Sequence, residues 1–300
     1  MKLSFAELGW RCISGLDTQA YGVAFDGEIV RLLVGSGAYF IYFKGELIRL
    51  EGNFGGINCI SRSQDKFFLL KRAPTSDKMG EITPIIMIDN SGRVDSRMTI
   101  SGPCSRIFVD SQSRLWVGYT DSGSLSIPEK GNVLSGSASE SGGWDFPGVV
   151  CWSESGEVYW RMKDDSDYSD KFLHCHLIGG HKGQVIAAID QENSLVSIDA
   201  NGVIAAIETP ILAPLGVAIK EENVAFLGKY ELTRGVGGGY RNREVSIFEI
   251  NGGSAVLRKV RSLDALGCEV PGTPKDVFSF ENSIFMNFGD REKLYVMRID

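Results

Sequence analysis

The chain has 300 residues, of which 43% are hydrophobic and 23% are charged, so it can form a sizeable core. Its net charge of −7 argues against a generic binder of nucleic acid or of an anionic membrane, because phosphate groups require local positive charge. The 36 glycines are well above the usual share of about 7%, which indicates a chain that turns often.

The first residues and the cysteines predict the compartment. The segment MKLSFAELGW lacks the apolar centre of a secretory signal, and the longest uncharged stretch, Leu32 to Phe43, is too short to span a bilayer. We therefore expect a cytoplasmic protein. The six cysteines contain no C-x-x-C pair, which predicts reduced and mostly buried thiols rather than a zinc or redox site.

Two kinds of tight polar turn alternate along the chain, each between short apolar runs that are typical of β-strands. The first kind leads into a very apolar strand, as in AFDGEIVRLLV. The second kind follows an aromatic or Ile-rich strand, as in FIYFKGELIRL, IMIDNSGRVDS, VCWSESGEVYW, VSIDANGVIAA and FEINGGSAVLR. Lys-Gly, Asn-Gly and Asn-Ser-Gly supply the left-handed backbone that such hairpins require. The first kind is predicted around Asp26–Gly27, Gln64–Asp65, Asp110–Ser113, His181–Gly183, Glu221–Asn223 and Glu281–Asn282.

Each pair of turns defines four antiparallel strands, and six such units in 300 residues give about 50 residues per unit. This pattern predicts an all-β, six-bladed β-propeller that forms a single domain over residues 1–300. The last unit lacks a fourth strand, so we expect the segment Lys2–Leu8 to complete it and close the ring. The first strand of each unit is predicted to be innermost because it is rich in small residues, whereas Trp152, Tyr159 and Trp160 are predicted to pack in outer strands.

The segment VDSQSRLWVGYTDSG resembles the D-x-x-G-x-[LI]-W-V turn of six-bladed propellers of the NHL, lactonase and lyase kind. Together with the following PGVVCWSESGEVYW, it is more closely similar to uncharacterised bacterial propeller proteins, in which GRIWVGYFDEG precedes PGLVRFDxxGxxxWEY. Ser111–Ser113 replaces the usual turn glycine. The resemblance covers residues 100–205 and implies the fold, but it implies no agreed activity.

The long connections all fall between second and third strands or between units, so they are predicted to share one face. The longest are Tyr119–Gly148 and the basic, glycine-rich Gly228–Glu244, which we expect to be a flexible loop. Aromatic and arginine side chains dominate protein interfaces. The predicted partner-binding residues are therefore Trp144, Phe146, Lys229, Tyr230, Arg234, Tyr240, Arg241 and Arg243.

Polar residues of the first strands offer an alternative. His174 and His176 share one face of a strand, because side chains alternate, and could bind a metal ion with Asn58 and Asp276. Lactonase-type propellers bind calcium through Glu, Asn and Asp, but no matching Glu is present. The chain also lacks the G-x-S-x-G, H-E-x-x-H and P-loop motifs.

The sequence therefore favours a non-enzymatic protein that binds another protein through its long-loop face, as an adaptor or as an inhibitor of the immunity-protein type. We expect no cofactor, and neither nucleic acid nor a membrane as partner. A metal-assisted hydrolase or lyase is the alternative. The neighbouring gene and metal analysis of the purified protein would distinguish the two.

Overall fold

A computed structural model describes residues 2–9, 15–71, 82–101, 104–119, 148–165, 167, 175–189, 194–199, 201–202, 204–233, 237–251, 254–266, 272–289 and 293–300. These residues form β-strands and two short 3-10 helices, Met162–Asp164 and Leu263–Leu266, and they include no α-helix. In this described part, no helix is long and apolar enough to cross a membrane.

The strands are, in chain order, β1 (Leu3–Gly9), β2 (Asp17–Val23), β3 (Ile29–Gly35), β4 (Ala38–Phe43), β5 (Glu46–Leu50), β6 (Ile57–Arg62), β7 (Lys66–Lys71), β8 (Ile82–Asp89), β9 (Val94–Ser101), β10 (Cys104–Val109), β11 (Leu115–Tyr119), β12 (Val149–Trp152), β13 (Val158–Arg161), β14 (Cys175–His181), β15 (Gln184–Ile189), β16 (Ser194–Ile198), β17 (Ile204–Glu208), β18 (Gly216–Lys220), β19 (Asn223–Leu227), β20 (Tyr230–Thr233), β21 (Gly237–Tyr240), β22 (Glu244–Asn251), β23 (Ser254–Ser262), β24 (Asp276–Phe280), β25 (Ser283–Asn287) and β26 (Lys293–Ile299). They fall into two compact units, Ile13–Ile178 and Gly179–Asp300 with Met1–Cys12.

The unit Ile13–Ile178 contains three four-stranded antiparallel sheets, each made of consecutive strands: β2 to β5, β6 to β9, and β10 to β13. One apolar core lies between the first and second sheets, where Leu32 and Ile41 meet Phe67 and Leu69. A second lies between the second and third sheets and includes Phe68, Val117 and Trp152. The three sheets of this unit are therefore stabilised by burying apolar faces against their neighbours within the unit.

The other unit contains one sheet in the order β1-β26-β25-β24-β14-β15-β16-β17-β23-β22-β19-β18. It consists of three four-stranded groups, which begin with β14, β18 and β24. Single parallel residue pairs join these groups, Gly180 with Phe280 and Glu208 with Ser254. Strand β1 pairs with β26 from Leu3↔Ile299 to Gly9↔Lys293, which confirms that the N-terminal strand completes the C-terminal group.

The predicted hairpin turns are present in both units. The turn between β4 and β5, for example, places Lys44 and Gly45 at φ values of 48° and 88°, the left-handed conformation that the Lys-Gly pair predicts. The structure therefore confirms the all-β fold with alternating hairpins.

The first strands of adjacent groups approach each other very closely. A Cβ atom added at Gly22 of β2 would lie 1.5 Å from the carbonyl oxygen of Ile60 on β6. On β6, the buried Ser61 hydroxyl donates to the Val23 carbonyl at 3.0 Å and accepts from the Val109 amide at 3.2 Å. One small side chain thus joins β2, β6 and β10.

The segment VDSQSRLWVGY folds around a buried carboxylate. Asp110 accepts hydrogen bonds from the amides of Gln112 and Arg114, and from Nε1 of Trp116 at 2.9 Å. It also forms an ion pair with Arg114 at 2.7 Å. Ser113 has a φ of 61°, so serine adopts here the left-handed conformation for which related turns use glycine.

One of the three predicted packing residues of the outer strands is mostly exposed. Trp152 is 4% exposed, and the ring of Trp160 lies 5.7 Å from that of Trp116. Tyr159, in contrast, is 65% exposed, because it alternates with its neighbours on β13 and lies on the outer side. The prediction that Tyr159 is a buried packing residue of an outer strand is wrong, although the Arg114 guanidinium lies 5.5 Å from the centre of its ring.

Candidate functional site

The connection between β19 and β22 contains a β-hairpin of its own. Strands β20 and β21 pair from Tyr230↔Tyr240 to Thr233↔Gly237 and form a separate two-stranded sheet. The expectation of a flexible loop is therefore wrong for these residues. Glycines 237 to 239 adopt an extended conformation because their backbone groups find partners on β20.

Backbone and side-chain contacts hold the base of this hairpin. The Arg241 amide donates to the Lys229 carbonyl at 2.8 Å, and the Gly228 amide donates to the Glu244 carbonyl at 2.8 Å. The Lys229 ammonium pairs with the Glu244 carboxylate at 2.8 Å, and both side chains are about three-quarters buried. The hairpin is thus fixed where it leaves β19 and where it enters β22.

Arg243 connects the base of the hairpin to the next connection in the chain. Its guanidinium forms an ion pair with Asp264 and donates to the Gly272 carbonyl at 2.6 Å. The Leu263 amide donates to the Arg243 carbonyl at 2.9 Å. The sequence analysis did not identify Asp264. A local signal was present, because the Asp264 amide donates a hydrogen bond to the Ser262 hydroxyl at 3.3 Å, and serine is a common turn residue.

These contacts change the interpretation of the basic residues. Lys229 and Arg243 have acidic partners within the chain, so they stabilise the hairpin base rather than presenting free charge. Arg241 is exposed. Trp144, Phe146 and Arg234 lie outside the described residues, as does the connection 120–147, and for Tyr230 and Tyr240 only the backbone is described.

The alternative metal-binding residues lie on first strands. His176 is half-buried on β14, Asn58 is exposed at a register shift of β6, and Asp276 is the exposed first residue of β24. His174 lies outside the described residues. Within the described ranges, no group of three or more His, Cys, Asp or Glu side chains could hold a metal ion. The metal site therefore stays a prediction.

A titratable cluster lies where the turn after β14 meets the turn after β24. The Glu281 amide donates to the Gly180 carbonyl at 2.8 Å, and the Ile219 amide donates to the Glu281 carbonyl at 2.7 Å. Burial and the nearby Lys182 lower the pKa of His181, while Glu281 acts in the opposite direction. The adjoining cavity has room for about one water molecule, which is too small for a substrate.

The described thiols are packing groups. Cys59, Cys151 and Cys175 are buried thiols outside any described disulfide, and Cys104 is partly buried. Burial raises the pKa of the Cys151 thiol to about 12, so this thiol is protonated at neutral pH and is not a nucleophile. The prediction of mostly buried thiols is confirmed for these four residues, and their reduced state stays a prediction.

No protein-family model matches the sequence, and no curated protein matches it. Solved structures are similar in fold. Virginiamycin B lyase from Staphylococcus aureus, as a catalytically inactive variant with quinupristin, shares 10% identity over 100% of both chains, with a TM-score of 0.51. Aldose sugar dehydrogenase from Streptomyces coelicolor, bound to PQQ, shares 12% identity over 100% of this chain and 99% of its own, with a TM-score of 0.50.

The β-propeller domain of Cps50 (Swd1) from Myceliophthora thermophila shares 9% identity over 94% of this chain and 83% of its own, with a TM-score of 0.50. The three proteins named differ in function, and identities this low carry no information about activity. They show that this chain has a β-propeller-like, all-β fold.

Proposed function

We propose that the chain is a single six-bladed β-propeller domain, closed by β1, that binds a partner protein without catalysing a reaction. The blade count is supported by the four-stranded groups that begin with β2, β6, β10, β14, β18 and β24. The closure is supported by the pairing of β1 with β26.

The β20–β21 hairpin is the observation that carries the binding function. It is an insertion that joins no other sheet, and its base is fixed by the Lys229–Glu244 and Arg243–Asp264 ion pairs. A projection that is ordered before binding loses less conformational entropy on association than a flexible loop does. The Lys229–Glu244 pair fixes the hairpin to the first residue of β22, and the Arg243–Asp264 pair fixes it to the connection after β23. Because β20 and β21 pair with no other described strand, we interpret the hairpin as a recognition element.

Tyr230 and Tyr240 are the proposed anchors of this element, because the register places them directly opposite each other. Arg241 and Arg234 supply peripheral charge, and Trp144 and Phe146 of the long connection provide a second aromatic contact. The partner is a protein rather than nucleic acid or a membrane, in a cytoplasmic setting. The role is that of an adaptor or of an inhibitor, including an immunity protein. No specific observation among the described residues favours the hydrolase or lyase alternative.

Affinity for the recovered partner tests the proposal. The partner is cross-linked to the tagged chain in its source cells, purified, and titrated against Tyr230→Ala/Tyr240→Ala, against Trp144→Ala, and against the control Tyr159→Ala, which removes an exposed tyrosine from β13. Loss of a central aromatic anchor costs about 2 kcal/mol, which is roughly thirtyfold in affinity. We expect that loss in the first two variants and unchanged affinity in the control.

Two results would overturn the proposal. The first is unchanged partner affinity in both the double tyrosine variant and Trp144→Ala. The second is metal-dependent turnover of a lactone or ester by the purified chain that is lost in His176→Ala, which would establish the enzymatic alternative.

A further inference from the structure

Strand β23 has a free edge along most of its length. It pairs with β22 from Asn251↔Ser254 to Glu244↔Ser262, but on its other side it meets β17 only through the pair Glu208↔Ser254. Within the described residues, no strand lies opposite the outer edge of Val256–Ser262. Outward-facing N–H and C=O groups of this segment are therefore available for pairing with another chain.

The same strand exposes apolar side chains. Five large hydrophobic residues are exposed in the described part of the chain, and three of them lie on β23: Val256 at 45%, Leu257 at 51% and Val260 at 47%. Single exposed hydrophobic residues are common on protein surfaces, whereas a cluster on one free strand indicates an interaction surface.

The charge of β23 also differs from that of the other last strands of the four-stranded groups. The other five carry the charged residues Glu46 and Arg49 on β5, Asp95 and Arg97 on β9, Arg161 on β13, Glu208 on β17, and Glu7 on β1. Strand β23 carries three basic residues, Arg258, Lys259 and Arg261, and no acidic one, in a chain with a net charge of −7. None of the other five last strands carries more than one basic residue, and β13, with Arg161 alone, is the only one of the five without an acidic residue. Arg258 pairs with Glu249 at 2.8 Å. Neither Lys259 nor Arg261 forms an ion pair with any described residue.

A β-bulge sorts these side chains onto two faces. The register changes between Lys259↔Ile247 and Leu257↔Phe248, so Arg258 has no residue opposite it. Residues that lie opposite each other share a face of the sheet, and the partners of Val256, Lys259 and Arg261 lie two positions apart along β22. Val256, Lys259 and Arg261 therefore lie on one side of β23. Leu257 and Val260 lie on the other side. The strand thus presents a largely basic face and an apolar face along the same free edge.

We infer that β23 is a docking strand for an extended acidic segment of a partner protein, which adds to the sheet beside β23. Main-chain hydrogen bonds would hold the segment, and its acidic and apolar residues would alternate to meet the two faces. Basic residues and bulges on edge strands also serve to prevent aggregation, but that role alone does not explain the exposure of Leu257 and Val260. A second copy of β23 is disfavoured, because it would place like charges opposite each other.

A model peptide tests the inference independently of the hairpin proposal. The probe is a fluorescent peptide of alternating Glu and Val residues, as long as β23, titrated into the full chain and followed by anisotropy at one fixed ionic strength. Reversing the charge in Lys259→Glu/Arg261→Glu should weaken binding about tenfold or more, which is about 1.4 kcal/mol. The control Arg49→Glu/Arg97→Glu changes the net charge equally on β5 and β9, and should change the affinity less than twofold.

Main-chain pairing is tested with a second probe. The same peptide, N-methylated at alternate residues, cannot donate the hydrogen bonds of a strand and should bind about tenfold more weakly or not at all. Three results would overturn the inference. They are no binding of the unmodified peptide, an equal loss of peptide affinity in the two double variants, or a methylated peptide that binds as tightly as the unmodified one. A dimer of the chain that dissociates in Lys259→Glu/Arg261→Glu would identify a second copy as the occupant instead.

Discussion

The first and last strands of the four-stranded groups differ in what surrounds them. On β2 and β6, backbone atoms approach so closely that Gly22 has no room for a side chain, and the buried Ser61 joins three strands. On β23, most side chains are exposed and the outer edge has a single paired residue. Substitutions in first strands should therefore change stability, whereas substitutions in β23 should change binding.

The largest expected effect is that of Gly22→Ala. The added methyl group would meet the Ile60 carbonyl oxygen at 1.5 Å, so β2 and β6 must separate. We expect a loss of about 4 kcal/mol or more in the free energy of unfolding, measured by denaturant titration, or failure to fold.

The matched control is Gly37→Ala. That position has a φ of 76° and open space around it, so only the left-handed backbone is penalised, by about 1–2 kcal/mol. An equal loss of unfolding free energy in the two variants would mean that β2 and β6 can separate without cost. First strands would then be no more sensitive to substitution than last strands.

Intermediate effects are expected for the buried serines of two first strands. The Ser61 hydroxyl forms two hydrogen bonds, donating to the Val23 carbonyl and accepting from the Val109 amide. The Ser279 hydroxyl of β24 accepts a hydrogen bond from the Val217 amide at 2.8 Å. Each buried group left without a partner costs about 1–3 kcal/mol. Ser61→Ala should therefore be more destabilising than Ser279→Ala.

Thermal and denaturant unfolding of both variants would check this order. Ser197→Ala is the control, because the Ser197 hydroxyl donates a hydrogen bond to the exposed Gln184 side chain. The free energy of unfolding of this variant should change by no more than about 0.5 kcal/mol. The reverse order, or a control as costly as Ser61→Ala, would contradict the bridging role of Ser61.

The smallest expected effect is the pH dependence contributed by His181 at the end of β14. Burial and Lys182 lower its pKa in the folded chain, so the unfolded chain takes up the proton first, near the usual pKa of about 6.5. Between the folded and unfolded pKa values the unfolded state binds more protons, and the free energy of unfolding falls as the pH falls from neutral.

His181→Gln should remove this part of the pH slope, and Lys182→Asn should reduce it, because the folded pKa then moves back toward its usual value. The comparison uses the slope of the unfolding free energy against pH, so a constant change in stability does not affect it. An unchanged slope in His181→Gln would assign the pH dependence to other groups.

Much of the fold could be predicted because its signals are local. The hairpin turns are set by short segments such as Lys44–Gly45, and the apolar runs beside them fix which residues form strands. The incomplete last group also predicted the pairing of β1 with β26. The D-x-x-x-x-L-W segment is local as well, since Asp110 bonds its own turn and Trp116.

The candidate site could be predicted only in part. The sequence indicated the connection 228–244 and its basic residues, but the acidic partner of Arg243 lies 21 positions away, at Asp264. The β20–β21 pairing was also missed, because Gly237–Tyr240 carries no strand signal of its own and becomes extended only against β20.

The sequence by itself determined the all-β class, the hairpins and the order of the groups, because turn residues act over a few positions. Tertiary structure alone decided how β23 presents its side chains. Strict alternation would put Leu257 and Lys259 on the same face, but the bulge at Arg258 separates them. A bulge depends on how two strands align, so only their pairing could place basic and apolar residues on opposite faces of one free edge.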